Sequence, residues 1–158
     1  AEKLGVKIDR ARYHALTAEA RIADTRVLLM KPTTLMNNSG VAVGEAAAFY
    51  KIEPANIIVL SDDVNLDVGR MRVRKSGSDG GQKGLRSITT LLGTQEFPRI
   101  KIGVGAKPHP DYDLADWVLG KMPKDAGDAV DARNEDILGA VRFITEGKID
   151  EAMNKYSH

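Results

Sequence analysis

The stretch that decides the fold is KPTTLMNNSG, residues 31–40, a polar segment between two apolar ones. The apolar run VLLM at 27–30 predicts a strand, and Pro32 ends it because proline has no N–H for a strand ladder. Residues 41–51 predict a helix, for which Ser39 is a suitable N-cap. Ligands bind at strand–loop–helix junctions of this kind in open α/β sheets, although such a junction is also an ordinary connection.

The segments around this junction alternate between strand and helix patterns. Residues 15–22 and 26–30 predict a β-hairpin with a turn at 24–25, and NIIVL at 56–60 predicts an interior strand buried on both faces. Further strands are predicted at 70–74 and 99–105, and helices at 85–92, at 114–119, from Pro123 onward and at 151–156. This interleaving predicts one α/β domain over residues 1–158, built on a mixed sheet.

The composition excludes several classes of protein. Of the 158 residues, 42% are hydrophobic and 28% are charged, as in soluble globular proteins. The absence of cysteine excludes disulfides, thiolate catalysis and cysteine-ligated zinc. We see no apolar run of membrane-spanning length and no signal peptide, so we expect a cytoplasmic protein.

Basic residues are concentrated in one part of an otherwise neutral chain. The net charge is +1, yet residues 69–101 contain eight bases and only two acids. The eight bases are Arg70, Arg72, Arg74, Lys75, Lys83, Arg86, Arg99 and Lys101. This distribution favours an anionic partner such as nucleic acid, and the alternative is a set of unrelated solvated faces.

Two further loops could carry chemistry. The glycine-rich loop 77–84 lacks the phosphate-loop motif, since Leu85 replaces the magnesium-binding hydroxyl, but its backbone N–H groups could face an anion beside Lys83. A flexible connection is the alternative. The Asp62–Asp63 pair could hold a metal, orient a histidine or cap a turn. The histidines, at 14, 109 and 158, have no ligand spacing, and we expect His14 to be structural or solvated.

The segment KPTTLMNNSG resembles the Pro-x-Thr-x-Met-Asn-x-Ser-Gly signature of bacterial peptidyl-tRNA hydrolases. Residues 61–66, 77–84, 97–105 and 116–120 are similar to the family's later motifs, in the same order and at family spacing. The match runs from about Arg12 to the C-terminus. On these motifs the chain is identified as a member of the family.

The resemblance implies a monomer with a twisted mixed sheet surrounded by helices. It also implies hydrolysis of the ester between peptide and tRNA, with no metal or cofactor. Asn37 would bind substrate beside the attacked carbonyl, Asp62 would orient a histidine general base, and Leu35 would contact substrate. The tRNA-binding residues implied in the same way are Arg74, Lys83, Arg86, Arg99 and Lys101.

The chain departs from the family at two places. Lys83 and Gln82 stand where better-known members carry asparagine and histidine. Family chains open with a strand and a loop that supplies the catalytic histidine, and residues 1–158 contain no counterpart. We therefore expect either a missing N-terminal segment or a genuine truncation, and negligible hydrolysis by these residues alone. The alternatives are an RNA-binding relative without activity and a nucleotide-binding enzyme that uses loop 77–84.

Overall fold

The computed structural model describes residues 1–105 and 124–157, which form two compact units. Unit 1 comprises Ala1–Ile57 and Lys75–Pro98. Unit 2 comprises Ile58–Arg74 and the described residues from Arg99 onward. The helix predicted at 114–119 lies outside the described residues, and the prediction of a single domain over 1–158 stays a prediction.

Unit 1 contains an antiparallel sheet of three strands in the order β1-β2-β3. These strands are β1 (Arg10–Arg12), β2 (Ala15–Ile22) and β3 (Thr25–Pro32), so the predicted hairpin is confirmed. Tyr13 and His14 form the first two-residue turn, with φ of 55° and 53°, and Ala23 and Asp24 form the second, with φ of 50° and 62°. Positive φ at both positions suits tight hairpins because it matches the twist of the strands.

The helices of unit 1 are α1 (Ser39–Tyr50) and α2 (Lys83–Leu92). A single 3₁₀ turn, Met36–Asn38, leads into α1. The prediction that Ser39 is the N-cap was wrong, because Ser39 is already helical and its hydroxyl donates to the Met36 carbonyl at 2.8 Å. The residue at the N-cap position is Asn38.

Unit 2 is a three-stranded mixed sheet with helices. Its strands are β4 (Val59–Asp63), β5 (Met71–Arg74) and β6 (Arg99–Gly103), in the order β4-β6-β5. Strand β4 runs parallel to β6, and β5 runs antiparallel to it. In the described part of the chain β4 is therefore an edge strand, and Leu60 is 54% exposed. The prediction that 56–60 is an interior strand buried on both faces was wrong.

The described residues of unit 2 also form three helices: α3 (Lys124–Asp131), α4 (Asn134–Thr145) and α5 (Ile149–Tyr156). The long helix predicted from Pro123 onward is thus divided near Arg133. The guanidinium Nε of Arg133 donates to the Gly69 carbonyl at 2.8 Å. The core of the unit joins sheet residues Met71, Val73 and Ile100 to the helix residues Ala140 and Ala152.

The α/β class is confirmed, with the strands divided between an antiparallel and a mixed sheet. Among residues 1–105 and 124–157, no helix has the length and apolar character that crossing a membrane requires.

Candidate functional site

A groove of about 390 Å³ lies in unit 1 between the start of α1 and one face of α2. It brings together Asn37, Lys83 and Arg86, three of the residues predicted from the sequence. Its complete lining is Asn37, Asn38, Val41, Lys83, Arg86, Ser87, Thr90 and Leu91. The sequence analysis did not single out Asn38, Ser87 or Thr90, although positions 86, 87 and 90 share one face of the helix predicted at 85–92.

Two glycines allow the walls of the groove to come together. The Gly40 N–H donates to the buried Ser87 hydroxyl at 2.8 Å, and a Cβ on Gly40 would collide with the Ser87 carbonyl. A Cβ on Gly84 would lie 2.9 Å from the Met36 sulfur. Because both contacts join the segment around Asn37 to α2, they fix this asparagine beside the first turn of α2.

The cationic edge of the groove comes from the start of α2. Lys83 is its first residue and is exposed, and within the described residues its ammonium has no hydrogen bond or ion pair. The helix is capped by Gln82, whose side-chain oxygen accepts the Leu85 N–H at 2.8 Å. The Gln82 side chain therefore satisfies one backbone donor of the first turn of α2.

Arg86 is held by a carboxylate outside the groove lining. Its Nε lies 3.5 Å from the Asp79 Oδ2, with the arginine side chain 64% exposed. The Asp79 Oδ1 also accepts the Gly81 N–H at 2.8 Å. This backbone hydrogen bond, followed by Arg86, holds the pKa of Asp79 below its ordinary value. Asp79 therefore orients Arg86 as a carboxylate at neutral pH.

The Asp62–Asp63 pair lies in unit 2, at the end of β4. Asp62 is half-buried and lies opposite Ile102 of β6. The Asp63 Oδ1 accepts the Asn65 N–H at 2.8 Å, so Asp63 caps a turn. Across residues 1–105 and 124–157, no group of three or more His, Asp or Glu side chains could hold a metal ion.

The remaining basic residues of the prediction lie on β5 and β6 of unit 2. Arg74 lies opposite Arg99 and Arg72 opposite Lys101, so all four side chains start from one face of the sheet. Arg99 is 0% exposed. A guanidinium without solvent access has few N–H groups to offer to a phosphate, and the place of Arg99 in the predicted tRNA-binding set stays a prediction.

Arg74 and Lys101 are both half-buried. Burial, and then the charge of Arg72, lower the pKa of Arg74, and its Nη1 donates to the Val73 carbonyl at 2.7 Å. These contacts restrict the direction in which Arg74 can point.

Two other predicted residues lie in unit 1. Leu35 is 76% exposed, one position before the 3₁₀ turn that carries Asn37. The His14 Nδ1 lies 2.6 Å from the Glu45 carboxylate, which joins the β1–β2 turn to α1. Both partners of this pair are exposed, with side chains 63% and 47% accessible.

These features define an α/β protein with a cationic, amide-lined groove. The family model described as peptidyl-tRNA hydrolase matches residues 1–158. The peptidyl-tRNA hydrolase of Lachnospira eligens is 42% identical over 157 residues, which are 99% of this chain and 84% of that protein. The peptidyl-tRNA hydrolase of Moorella thermoacetica is 43% identical over 159 residues, 100% of this chain and 83% of that protein.

A solved structure is also similar to this chain. The crystal structure of peptidyl-tRNA hydrolase from Acinetobacter baumannii matches with a TM-score of 0.91 at 29% identity, over 99% of this chain and 80% of that one. The chain belongs to the peptidyl-tRNA hydrolase family. The assignment made from the sequence motifs is confirmed.

Proposed function

We propose that this protein hydrolyses the ester bond between peptide and tRNA in peptidyl-tRNA, which releases the tRNA for reuse in translation. The observation that carries the proposal is the unit 1 groove, where Asn37 lies with Lys83 and Arg86 in a member of this family. An amide can donate to a carbonyl oxygen, and cations attract a polyanionic RNA. Both kinds of group suit a substrate that joins a peptide to RNA.

Asn37 is the proposed donor to the ester carbonyl. When water adds to the carbonyl carbon, negative charge develops on its oxygen, and a fixed N–H donor stabilises that charge more than the neutral carbonyl. The exposed Leu35 side chain offers apolar surface to the peptide. Asn37 therefore acts on the reacting atoms, whereas Leu35 contributes to substrate binding.

Asp62 is the proposed positioning residue for a histidine general base. Its carboxylate would accept the N–H of one imidazole nitrogen, so that the other nitrogen is free to take a proton from water. The same negative charge stabilises the imidazolium that forms. That a histidine is the general base is implied by the family resemblance.

The tRNA is proposed to contact Lys83 and Arg86 in unit 1, and Arg74 and Lys101 in unit 2. Each phosphate contact releases counterions, so binding should weaken as salt concentration rises. We also propose that the protein acts as a cytoplasmic monomer and uses neither a metal nor a cofactor.

The test is release of the blocked amino acid from N-acetyl-aminoacyl-tRNA. Two proteins are compared: residues 1–158, and the same residues preceded by the strand and histidine loop that open family chains. Turnover by either protein supports the proposal, and the comparison measures what the added segment contributes. Filter binding of tRNA, measured on both, separates substrate binding from chemistry.

Two variants of the extended protein test the assigned roles. Asn37→Ala should lower kcat about 100-fold, which is the loss typical of removing one oxyanion donor. The control is Asn56→Ala, at an exposed asparagine of the same unit, and its kcat should equal that of the parent protein. Asp62→Asn should lower kcat by about 100-fold or more, and the neighbouring Asp63→Asn is its control. Tight tRNA binding without turnover by either protein would refute hydrolysis and favour an RNA-binding relative. Full activity of Asn37→Ala would refute the role of Asn37.

A further inference from the structure

We propose that a second surface of unit 1, separate from the groove, binds an unpaired nucleotide of single-stranded RNA. This surface, which we call the aromatic pocket, consists of Arg10, Arg12, Tyr13, Phe49 and Tyr50. It lies where the β1–β2 turn meets the end of α1. None of its residues belongs to the groove lining, so it adds a contact with RNA to those already proposed.

A cavity of about 150 Å³ lies at the centre of the aromatic pocket and carries positive charge. Arg10 and Arg12 both line it, and within residues 1–105 and 124–157 neither forms an ion pair. Glu19 is the only acid in the lining, and its carboxylate lies 3.3 Å from the guanidinium of Arg26. The two arginines are therefore not neutralised by the cavity itself, and this charge favours an anionic ligand.

Arg12 is held in place by aromatic rings. Its Cζ lies 4.8 Å from the centroid of the Tyr13 ring and 5.4 Å from the centroid of the Phe49 ring. The two ring centroids are 5.5 Å apart. Cation–π contacts fix the guanidinium without using its N–H groups as hydrogen-bond donors, so these groups can donate to a phosphate.

The end of α1 presents an aromatic ring to solvent beside these cations. Phe49 is 61% exposed and Tyr50 is 38% exposed, and their ring centroids are 5.0 Å apart. Proteins that bind single-stranded nucleic acid combine cations that contact the phosphates with aromatic side chains on which bases stack. Phe49 is thus the proposed surface for the base, and Arg10 and Arg12 are the proposed phosphate contacts.

Tyr13 has two unfavourable features at the wall of the cavity. The residue is 8% exposed, and its buried hydroxyl has no hydrogen-bond partner, a condition that costs free energy. Burial raises the pKa of Tyr13, and the neighbouring Tyr50 hydroxyl raises it further without reaching hydrogen-bond geometry. Tyr13 also has a φ of 55°, which favours glycine or asparagine over a bulky side chain. Such unfavourable features are typical of ligand-binding positions, and a ligand oxygen in the cavity would supply the missing acceptor.

A nucleotide fits the aromatic pocket better than an acidic peptide or an apolar partner. An acidic peptide would use the cations but not the exposed ring of Phe49, and an apolar partner would use the ring but leave two arginines without anions. A nucleotide joins a phosphate to a planar base and uses both. The C-terminal end of α1 also favours a nearby cation such as Arg12, but this effect does not explain Arg10 or the exposure of Phe49.

The first experiment measures binding of fluorescent tetrauridylate by anisotropy at a series of salt concentrations. The parent is the 158-residue chain with Lys83→Asn and Arg86→Gln, which weaken the groove. Arg10→Gln should weaken binding about tenfold at low salt, the loss of one charge-assisted hydrogen bond. It should also reduce the slope of log K against log salt by about 0.7, the value for one phosphate contact. Phe49→Leu should weaken binding about fivefold or more, the loss of one stacked base, without changing the slope.

Two matched variants control for charge and folding. Arg21→Gln removes the same charge from an exposed arginine of β2 outside the cavity lining, and its affinity and slope should equal those of the parent. Phe49→Tyr keeps an aromatic ring and should keep the affinity. Unchanged binding by Arg10→Gln and Phe49→Leu would overturn the inference. A loss from Arg10→Gln alone would show attraction of charge without stacking, and would overturn it as well.

The second experiment locates the base and tests the peptide as a competitor. Irradiation with an oligoribonucleotide that contains 5-iodouridine, followed by mass spectrometry, should give crosslinks to Tyr13, Phe49 or Tyr50, and their absence would overturn the inference. Tetraglutamate should not displace tetrauridylate at equal concentration, and displacement would assign the surface to acidic peptides. If hydrolysis fails but both binding losses are found, only the proposed function falls. If turnover depends on Asn37 and neither loss is found, only this inference falls.

Discussion

Removal of the Ser87 hydroxyl tests whether the base of the groove is held by one buried hydrogen bond between α1 and α2. Gly40 is the second residue of α1, so its N–H has no partner within the helix. The Ser87 hydroxyl, on a residue that is 7% exposed, accepts this N–H at 2.8 Å. In Ser87→Ala the donor stays buried and loses its acceptor.

The expected loss follows from the cost of an unsatisfied buried donor, about 1–3 kcal/mol in free energy of unfolding. For a urea m-value of about 2 kcal/mol/M, a loss of about 2 kcal/mol lowers the urea midpoint by about 1 M. The assay is urea unfolding of the 158-residue chain, followed by far-UV circular dichroism. The m-value should stay constant because the same surface is exposed on unfolding.

The control is Ser76→Ala, which removes a half-buried hydroxyl from the same unit. Its unfolding free energy should lie within about 0.5 kcal/mol of the parent chain, as for most substitutions away from buried polar contacts. A Ser87→Ala midpoint equal to that of Ser76→Ala would refute the reasoning, since the Gly40 N–H would then have found another acceptor. In that case the bond would not hold the groove.

Two further substitutions test the same unit. Gly40→Ala should lower the free energy of unfolding by at least about 1–3 kcal/mol in the same urea assay, because its Cβ would displace the Ser87 backbone; a stability equal to the parent would show that the helices can separate freely. Asp79→Asn keeps an acceptor for the Gly81 N–H but loses the charge beside Arg86. The pKa of Asp79 is lower in the folded protein than in the unfolded chain, where it is about 3.9. The Asp79 charge therefore stabilises the fold above the unfolded pKa. This stabilisation is lost as pH falls through the folded-state pKa. The stability difference between the parent chain and Asp79→Asn should therefore shrink from pH 7 to pH 3, and a constant difference would contradict the assignment.

Local patterns were enough to predict much of the fold. The β2–β3 hairpin was predictable because alternation and a two-residue turn are encoded within one short segment. The Ser39 N-cap was not, because Ser39 and Asn38 are both ordinary capping residues and the choice depends on the 3₁₀ turn before them. The edge position of β4 also escaped prediction, since an apolar run does not specify which strands pair with it.

The groove could be predicted only in part. The family motif singled out Asn37, and the basic segment singled out Lys83 and Arg86, but these residues come from distant parts of the chain. These residues lie together because Gly40 contacts Ser87. Residue spacing in the sequence does not predict that contact. Long-range contacts of this kind are the information that a single sequence lacks.

The basic segment shows why a count of charges does not define a nucleic-acid surface. Eight bases between 69 and 101 predicted one anion-binding region, yet the structure divides them between two units and gives them different surroundings. Arg99 is fully buried, Arg86 shares its charge with Asp79, and Lys83 projects from a helix end. Counterion release depends on cations that reach phosphates, so only exposed groups such as Lys83 and Arg86 contribute fully. Recognition of the RNA is therefore better read from the contacts of each base than from the charge of the segment.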